Sequence, residues 1–163
     1  MGRGLLGLPL LLCLSQGRTD LAWLLLLLGG CSDAVDGLLA RSAGGGSVWG
    51  ARLDPLTDKI LICAPLLWLA SRGTLPLWAV WLLLARELLI SGWRSTQGTG
   101  GPASVAGKLK TVLQFAALLL LLWPDHWGPA TSRLHGLGWW LFWPSLVLAL
   151  VSAVGYLRSS PEP

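Results

Sequence analysis

Residues 33–58 read DAVDGLLARSAGGGSVWGARLDPLTD, which places four carboxylates, Asp33, Asp36, Asp54 and Asp58, in a chain otherwise dominated by leucine and tryptophan. On an α-helix Asp33 and Asp36 stand at i and i+3, and Gly37, Ala40 and Arg41 continue along the same face. Gly44, Gly45 and Gly46 then interrupt any helix. Gly50 follows, and after it Asp54 and Asp58 form an i, i+4 pair. The spacing predicts two antiparallel helices joined by a glycine-rich turn, each offering two carboxylates to one space, as in metal-carrying bundles.

The flanking sequence decides what kind of helices these are. Of the 163 residues, 53% are hydrophobic and only 12% charged, with a mean hydropathy of +0.63. One soluble core of this length cannot hide so much apolar surface. Runs such as Leu24 to Leu28 and Leu118 to Leu122 show no period-2 alternation, and they sit in apolar stretches close to the roughly 20 residues a spanning helix needs. The expected fold is therefore an all-α, polytopic membrane protein and not a β-barrel. A single domain covers 1–163, with six spans at about 4–16, 21–40, 54–70, 75–95, 105–123 and 136–157.

Orientation follows from the basic residues. With a cytoplasmic N-terminus, Arg3, Arg41, Arg52, Arg94, Lys108, Lys110 and Arg158 lie inside, against Arg18, Arg72 and Arg133 outside, as the positive-inside rule requires. The carboxylates then sit at the cytoplasmic ends of the second and third spans, within reach of soluble substrates and divalent metals. The first span is short, about 13 residues or roughly 20 Å against a hydrocarbon thickness of about 30 Å. Either residues 1–3 extend it or the natural start lies upstream. No small-residue cleavage site follows the apolar run Leu5 to Leu14, Cys13 lacks the small residues of a lipoprotein site before it, and Leu6 stands where myristoylation needs Ser or Thr; the first span is expected to be retained.

Other features carry less. Cys13, Cys31 and Cys63 lie singly in apolar segments, form no Cys/His cluster, and read as small core residues. His126 and His135 fall in a polar connection and read as interfacial or solvated. The net charge of +4 is modest and serves orientation, which leaves nucleic-acid binding unsupported. A P-loop fails because Pro102 occupies the first glycine position before Lys108 and Leu109 replaces the required Ser or Thr. The eleven tryptophans, including Trp123, Trp127, Trp139 and Trp140, gather near span ends as an interfacial belt.

An ionised aspartate inside a membrane helix costs about 2.5 to 3.5 kcal/mol on translocon scales, so four need compensation of order 10 kcal/mol. Arg41, Arg52 and Lys59 could neutralise three. Converging acceptor-only side chains are better satisfied by hard divalent cations, and oxygen ligands select Mg²⁺ or Mn²⁺. The plainer account, acids capping helix ends in the interface, does not explain why both pairs hold helical spacing beside the small residues Gly37, Ala40 and Gly50.

The run Asp33-xx-Asp36-Gly37-xx-Ala40-Arg41-x8-Gly50-xxx-Asp54-xxx-Asp58 resembles the signature of the CDP-alcohol phosphatidyltransferase family at all eight signature residues. The resemblance implies a six-helix membrane enzyme, usually a homodimer, that moves a phosphatidyl group from a CDP-lipid to an alcohol and releases CMP. It further implies that Asp33, Asp36 and Asp54 hold two metal ions on the diphosphate, and that Asp58 completes that site and deprotonates the attacking hydroxyl. Gly37, Ala40, Arg41 and Gly50, with Asp33, would shape the nucleotide pocket. Two metals about 3.5 to 4 Å apart can stabilise attacking and leaving oxygens together, which suits displacement at a phosphoanhydride. Asp58 beside them would act through position and the metal-assisted acidity of the alcohol more than through its own basicity.

The acceptor is read from Ala85 to Arg94, ARELLISGWR, and Ser104 to Thr111, SVAGKLKT. Arg86 and Glu87 fall within the fourth span, Arg94 lies two turns beyond Arg86, and Lys108 and Lys110 open the fifth span from the same side. Such a basic pocket suits an acceptor that itself carries a phosphate. The pattern R-E-x-x-x-S-x-x-R with S-V-x-G-K-x-K-T resembles the phosphatidylglycerophosphate synthases of the family. The substrates implied are CDP-diacylglycerol and glycerol 3-phosphate, with Arg94, Lys108 and Lys110 on the acceptor phosphate and Arg86 and Ser91 assisting. Arg94, Lys108 and Lys110 also fit simple positive-inside anchors. Phosphatidylglycerol, the acceptor of a cardiolipin synthase, or inositol phosphate remain open within the same chemistry. Relative to that subgroup the chain starts almost at Arg3, where an amphipathic segment commonly precedes the first span, and Thr57 replaces the more frequent Ala. An ion transporter also carries intramembrane acids, but it expects them near mid-membrane on broken helices, not at one surface around a glycine-rich turn.

Overall fold

A computed structural model describes residues 6–42, 48–96 and 105–158; side chains at 33–34, 36–42, 48–58, 93–96, 105–106 and 156–158 lie outside the described part. Among the described residues the chain is all-helical, with six α-helices: α1 (Gly7–Ser15), α2 (Thr19–Ser42), α3 (Val48–Ser71), α4 (Leu77–Thr96), α5 (Val105–Leu121) and α6 (Thr131–Arg158). A 3₁₀ turn, Asp125–Trp127, joins α5 to α6. Gly17 and Gly73, with φ of 74° and 71°, end the turns after α1 and α3 in the left-handed region that only glycine enters without strain.

Helix positions follow the sequence reading, with three differences. Helix α3 starts at Val48, so Gly50 and Arg52 belong to the helix and not to the polar connection before it. Helix α6 starts at Thr131, five residues early, and the Thr131 hydroxyl donates to the Gly128 carbonyl at 2.8 Å. Helix α1 has 9 residues, which rise about 14 Å and cannot cross about 30 Å of hydrocarbon by themselves. By length and composition one described helix qualifies as a membrane span, the 25-residue Thr131–Gly155, whose most apolar 18-residue stretch has a mean hydropathy of 1.8; Thr19–Ser32 and Lys59–Ser71 are shorter apolar segments.

The five residues between α2 and α3 reach at most about 18 Å, half the length of either 24-residue helix. The pair is therefore antiparallel. The five-residue connection 72–76 turns α4 back along α3 in the same way, and contacts set the rest. Lys110 near the start of α5 meets Glu87 of α4, Arg86 meets Ala149 and Ser152 toward the end of α6, and Gly138 near the start of α6 meets Leu121 at the end of α5. The C-termini of α2, α4 and α6 and the N-termini of α3 and α5 therefore share one end. The most extensive seam joins α5 to α6, while α1 packs on α2 and α3, and α4 on α3 and α6. Leu10, Leu26, Leu66, Leu83, Leu118 and Phe142 are almost fully buried where these helices meet.

Close approaches are made by glycine. A Cβ on Gly138 of α6 would stand 2.9 Å from the Leu121 amide nitrogen and 3.0 Å from the Ala117 carbonyl oxygen, so only hydrogen fits between α5 and α6 there. At the distal end the Trp23 indole N–H donates to the Leu119 carbonyl at 2.8 Å, and Trp23, Trp123 and Trp127 pack edge to face at 5.1 to 5.4 Å. His135, expected to be interfacial or solvated, is half-buried and bonds the Trp123 carbonyl through Nε2 at 2.9 Å. Cys31, expected in the core, is exposed.

Candidate functional site

Four aspartates lie in the halves of α2 and α3 that adjoin their connection, Asp36 and Asp54 about 9 Å from those helix ends and Asp33 and Asp58 near mid-helix. Gly29 of α2 stands against Leu61 of α3, and a Cβ there would overlap the leucine side chain; Gly30 likewise abuts the Phe115 ring of α5. From the Gly29–Leu61 contact, at 1.5 Å per residue, Asp36 and Asp54 both lie about 10 Å along their helices, and Asp33 and Asp58 about 6 and 5 Å. The backbone thus brings the two pairs to matching heights. The two glycines make this possible because they let α2 approach α3 and α5 one turn before Asp33. The side chains of Asp33, Asp36, Gly37, Ala40, Arg41, Gly50, Asp54, Asp58 and Arg94 lie outside the described residues, so the site is defined at those positions by helix and height alone.

Directly after Asp58 comes Lys59, whose side chain is described. Its Nζ lies 3.6 Å from Glu87 Oε2 and donates to the Glu87 main-chain carbonyl at 3.1 Å. Glu87 of α4 also pairs with Arg86 Nη1 at 2.9 Å and with Lys110 of α5. Arg86 is held from its other side by α6: Nε donates to the Ala149 carbonyl at 2.8 Å and Nη2 to Ser152 Oγ at 2.5 Å. One carboxylate therefore collects cations from α3, α4 and α5, and α6 grips the arginine among them.

Three sequence-predicted acceptor residues fall in or beside this cluster. Lys110 is 5% exposed and Arg86 9%, which excludes surface anchoring for Lys110, whereas Lys108 is exposed at the start of α5. Ser91, one turn beyond Glu87 on α4, has a buried hydroxyl without a hydrogen-bond partner among the described residues. Arg86 has three of its N–H groups committed to Glu87, Ala149 and Ser152, a structural engagement that its place in the pattern does not announce.

Sequence reasoning left Glu87 and Ser152 without roles and offered Lys59 only as a counter-charge to the aspartates. The available signal was energetic. An acid deep in an apolar helix must find compensating partners, and Glu87 is the one acid of α4. Which cations answer it depends on neighbours 23 and 28 residues away, which no local pattern reveals.

The donor set at the shared end is therefore oxygen-rich on α2 and α3 and cation-rich on α3, α4 and α5, a combination suited to a polyphosphate or phosphate ester bridged by hard cations. The family model of the CDP-alcohol phosphatidyltransferases matches residues 1–151, and the chain belongs to this membrane-associated family. Among proteins similar to it, a probable phosphatidylglycerophosphate synthase of Mycobacterium tuberculosis is 35% identical over 138 residues, covering 83% of this chain and 64% of that protein. A CDP-diacylglycerol–glycerol-3-phosphate 3-phosphatidyltransferase of Bacillus subtilis is 36% identical over 102 residues, 61% of this chain and 53% of that one. A CMP-forming cardiolipin synthase of Streptomyces coelicolor is 36% identical over 149 residues, 85% of this chain and 69% of that one. The chain thus spans about two thirds or less of the length of the first two relatives.

Proposed function

We propose that the protein transfers a phosphatidyl group from CDP-diacylglycerol to glycerol 3-phosphate, giving phosphatidylglycerophosphate and CMP. The single observation carrying this is the matched height of Asp33, Asp36, Asp54 and Asp58 on α2 and α3, at the same end as a cationic cluster. Family membership and the names of the mycobacterial and bacillar relatives support it.

In this proposal Asp33, Asp36, Asp54 and Asp58 would hold two Mg²⁺ or Mn²⁺ ions, whose chemistry is to draw charge off the diphosphate and the attacking oxygen. An all-carboxylate donor set fits hard cations of this kind. Asp58 accepts the proton of the acceptor hydroxyl. Gly37, Ala40, Arg41 and Gly50, with Asp33, receive the nucleotide, the small residues leaving room beside the backbone. Arg94, Lys108 and Lys110 face the acceptor phosphate with Arg86 and Ser91 beside them; the buried Ser91 hydroxyl, without a partner among the described residues, supports a polar ligand at that height.

The same proposal includes a multi-pass protein in a bacterial inner membrane, the shared end facing the cytoplasm, and a homodimer in the bilayer. Large apolar side chains are exposed on every helix, for example Leu8, Leu28, Leu67, Trp81, Val112 and Val147. Surface of that kind is stable against lipid and not against water. Arg18, Arg72 and Arg133 lie at the distal end, and Arg72 stacks on the Trp68 ring at 5.7 Å in the manner of interfacial residues.

The cardiolipin synthase relative favours one second acceptor, phosphatidylglycerol. Membranes containing the protein, given CDP-diacylglycerol, Mg²⁺ or Mn²⁺ and one of glycerol 3-phosphate, phosphatidylglycerol or inositol phosphate, decide between them by CMP release. Release with glycerol 3-phosphate alone is expected. Release with phosphatidylglycerol alone replaces the acceptor, and metal flux into proteoliposomes without CMP release replaces the enzyme with a transporter.

A further inference from the structure

Glu87 sits at the junction of four helices, and the contacts around it have a direction. On α6 the Ser152 hydroxyl donates to the Ala149 carbonyl at 2.9 Å, and both groups accept from Arg86. Arg86 holds Glu87, and Glu87 holds Lys110 from α5 and Lys59 from α3. Constraint therefore passes from the α6 backbone outward to two lysines.

Lysine is poorly suited to holding itself still. Its ammonium sits on a flexible four-carbon stem with three rotatable donors, so an ordered ammonium needs a partner that fixes it. Lys110 has such a partner and is nearly enclosed, with 7% of its side chain exposed. Before Lys59 is counted, two cations already share one carboxylate. Like charges this close in a low dielectric repel strongly. Removal of the carboxylate would spread the cations, while an arriving phosphate would gather them.

Resting on the acceptor reading above, we propose that Glu87 is a positioning residue for the acceptor phosphate. It fixes Lys110 and Lys59 at the height of Asp58, is itself fixed by Arg86 and Ser152, and does not touch the substrates. A merely structural tie between helices would weaken all ligands alike; a positioning role is selective for the phosphate of the acceptor.

The test uses the full chain in detergent with Glu87→Gln, Glu87→Asp and Ser152→Ala. Glu87→Gln should raise KM for glycerol 3-phosphate roughly tenfold or more, the scale of one lost charge-assisted contact, and leave KM for CDP-diacylglycerol within about twofold. Glu87→Asp should recover part of the loss, and Ser152→Ala should move the same constant in the same direction by less. Equal changes in both constants, or no change, overturn the proposal. Thermal unfolding with inorganic phosphate as the probe reads the site without turnover, and it serves with Glu87→Asp and Ser152→Ala if Glu87→Gln does not fold. The phosphate concentration needed for a given rise in the unfolding temperature should be about tenfold higher in Glu87→Gln, and less raised in the other two. A wild-type midpoint unmoved by phosphate, or one shared by all variants, rejects the role of Glu87. Absence of CMP release with every acceptor, with the phosphate effect intact, rejects only the transferase reading.

Discussion

Gly138→Ala and Gly136→Ala form a matched pair two residues apart on α6. At Gly136 an added methyl meets nothing within 4 Å, whereas at Gly138 it meets Leu120 Cβ and the Leu121 nitrogen at 2.9 Å and the Ala117 carbonyl oxygen at 3.0 Å. Both substitutions gain about 1 kcal/mol of helix propensity, so that contribution cancels between them. At 138 two of the three clashing atoms are backbone, and α5 must move away by about half an ångström to restore ordinary contact. A gap of that size forfeits about a quarter of each dispersion contact, at about 0.1–0.2 kcal/mol per atom pair. The α5–α6 seam buries Ala117, Leu118, Leu121, Phe142 and Leu146, so some tens of pairs are affected, and the cost falls in the overpacking range of about 1–3 kcal/mol. Gly136→Ala should therefore be the more stable variant by about 1–3 kcal/mol. SDS titration of the reconstituted protein, followed by tryptophan fluorescence, measures the difference. Equal midpoints for the two variants would refute the close approach of α5 and α6 at this point.

Asp58→Asn should abolish CMP release while leaving the SDS midpoint near wild type, and normal turnover in that variant rejects Asp58 as base. Chelation by EDTA should remove activity and Mg²⁺ or Mn²⁺ should restore it; turnover indifferent to chelator rejects the metal-holding role of the four aspartates. Trp23→Phe keeps the edge-to-face packing but loses the hydrogen bond to Leu119, and should cost about 1–3 kcal/mol because a carbonyl in the bundle loses its donor; an unchanged midpoint would mean that the bond is not formed in the membrane. Cys31, exposed on α2 among Leu24, Leu28 and Val35, should resist a charged maleimide in intact vesicles, because a thiol facing lipid meets neither the reagent nor the water it needs to ionise, and should react once the protein is unfolded in SDS. Modification by the charged reagent would place that face in water.

The helices and the acidic motif were legible because both are local. Apolar runs near 20 residues long set where most of the helices lie, and a period of 3.6 sets which aspartates share a face, so α2, α4 and α5 emerge within a few residues of their expected limits. The departures fall where polar residues continue a helix beyond its apolar run, which hydropathy does not weigh: α6 begins at Thr131, and α3 continues back through Gly50 to Val48.

Partnership is another matter. That Lys110 meets Glu87 and not the membrane interface, that Arg86 is gripped by Ala149 and Ser152, and that Gly29, Gly30 and Gly138 mark contacts with Leu61, Phe115 and the α5 backbone all depend on residues distant in sequence. Periodicity orients a side chain relative to its own helix axis and says nothing about the rotation of that axis against its neighbours. Packing sets that rotation, through the few positions where a missing side chain lets two backbones meet. The sequence by itself determined six helices and four aspartates paired at one end. Only the tertiary structure decided which charges face one another, because the energy of a charge in a low dielectric depends on what other helices bring within about 4 Å of it.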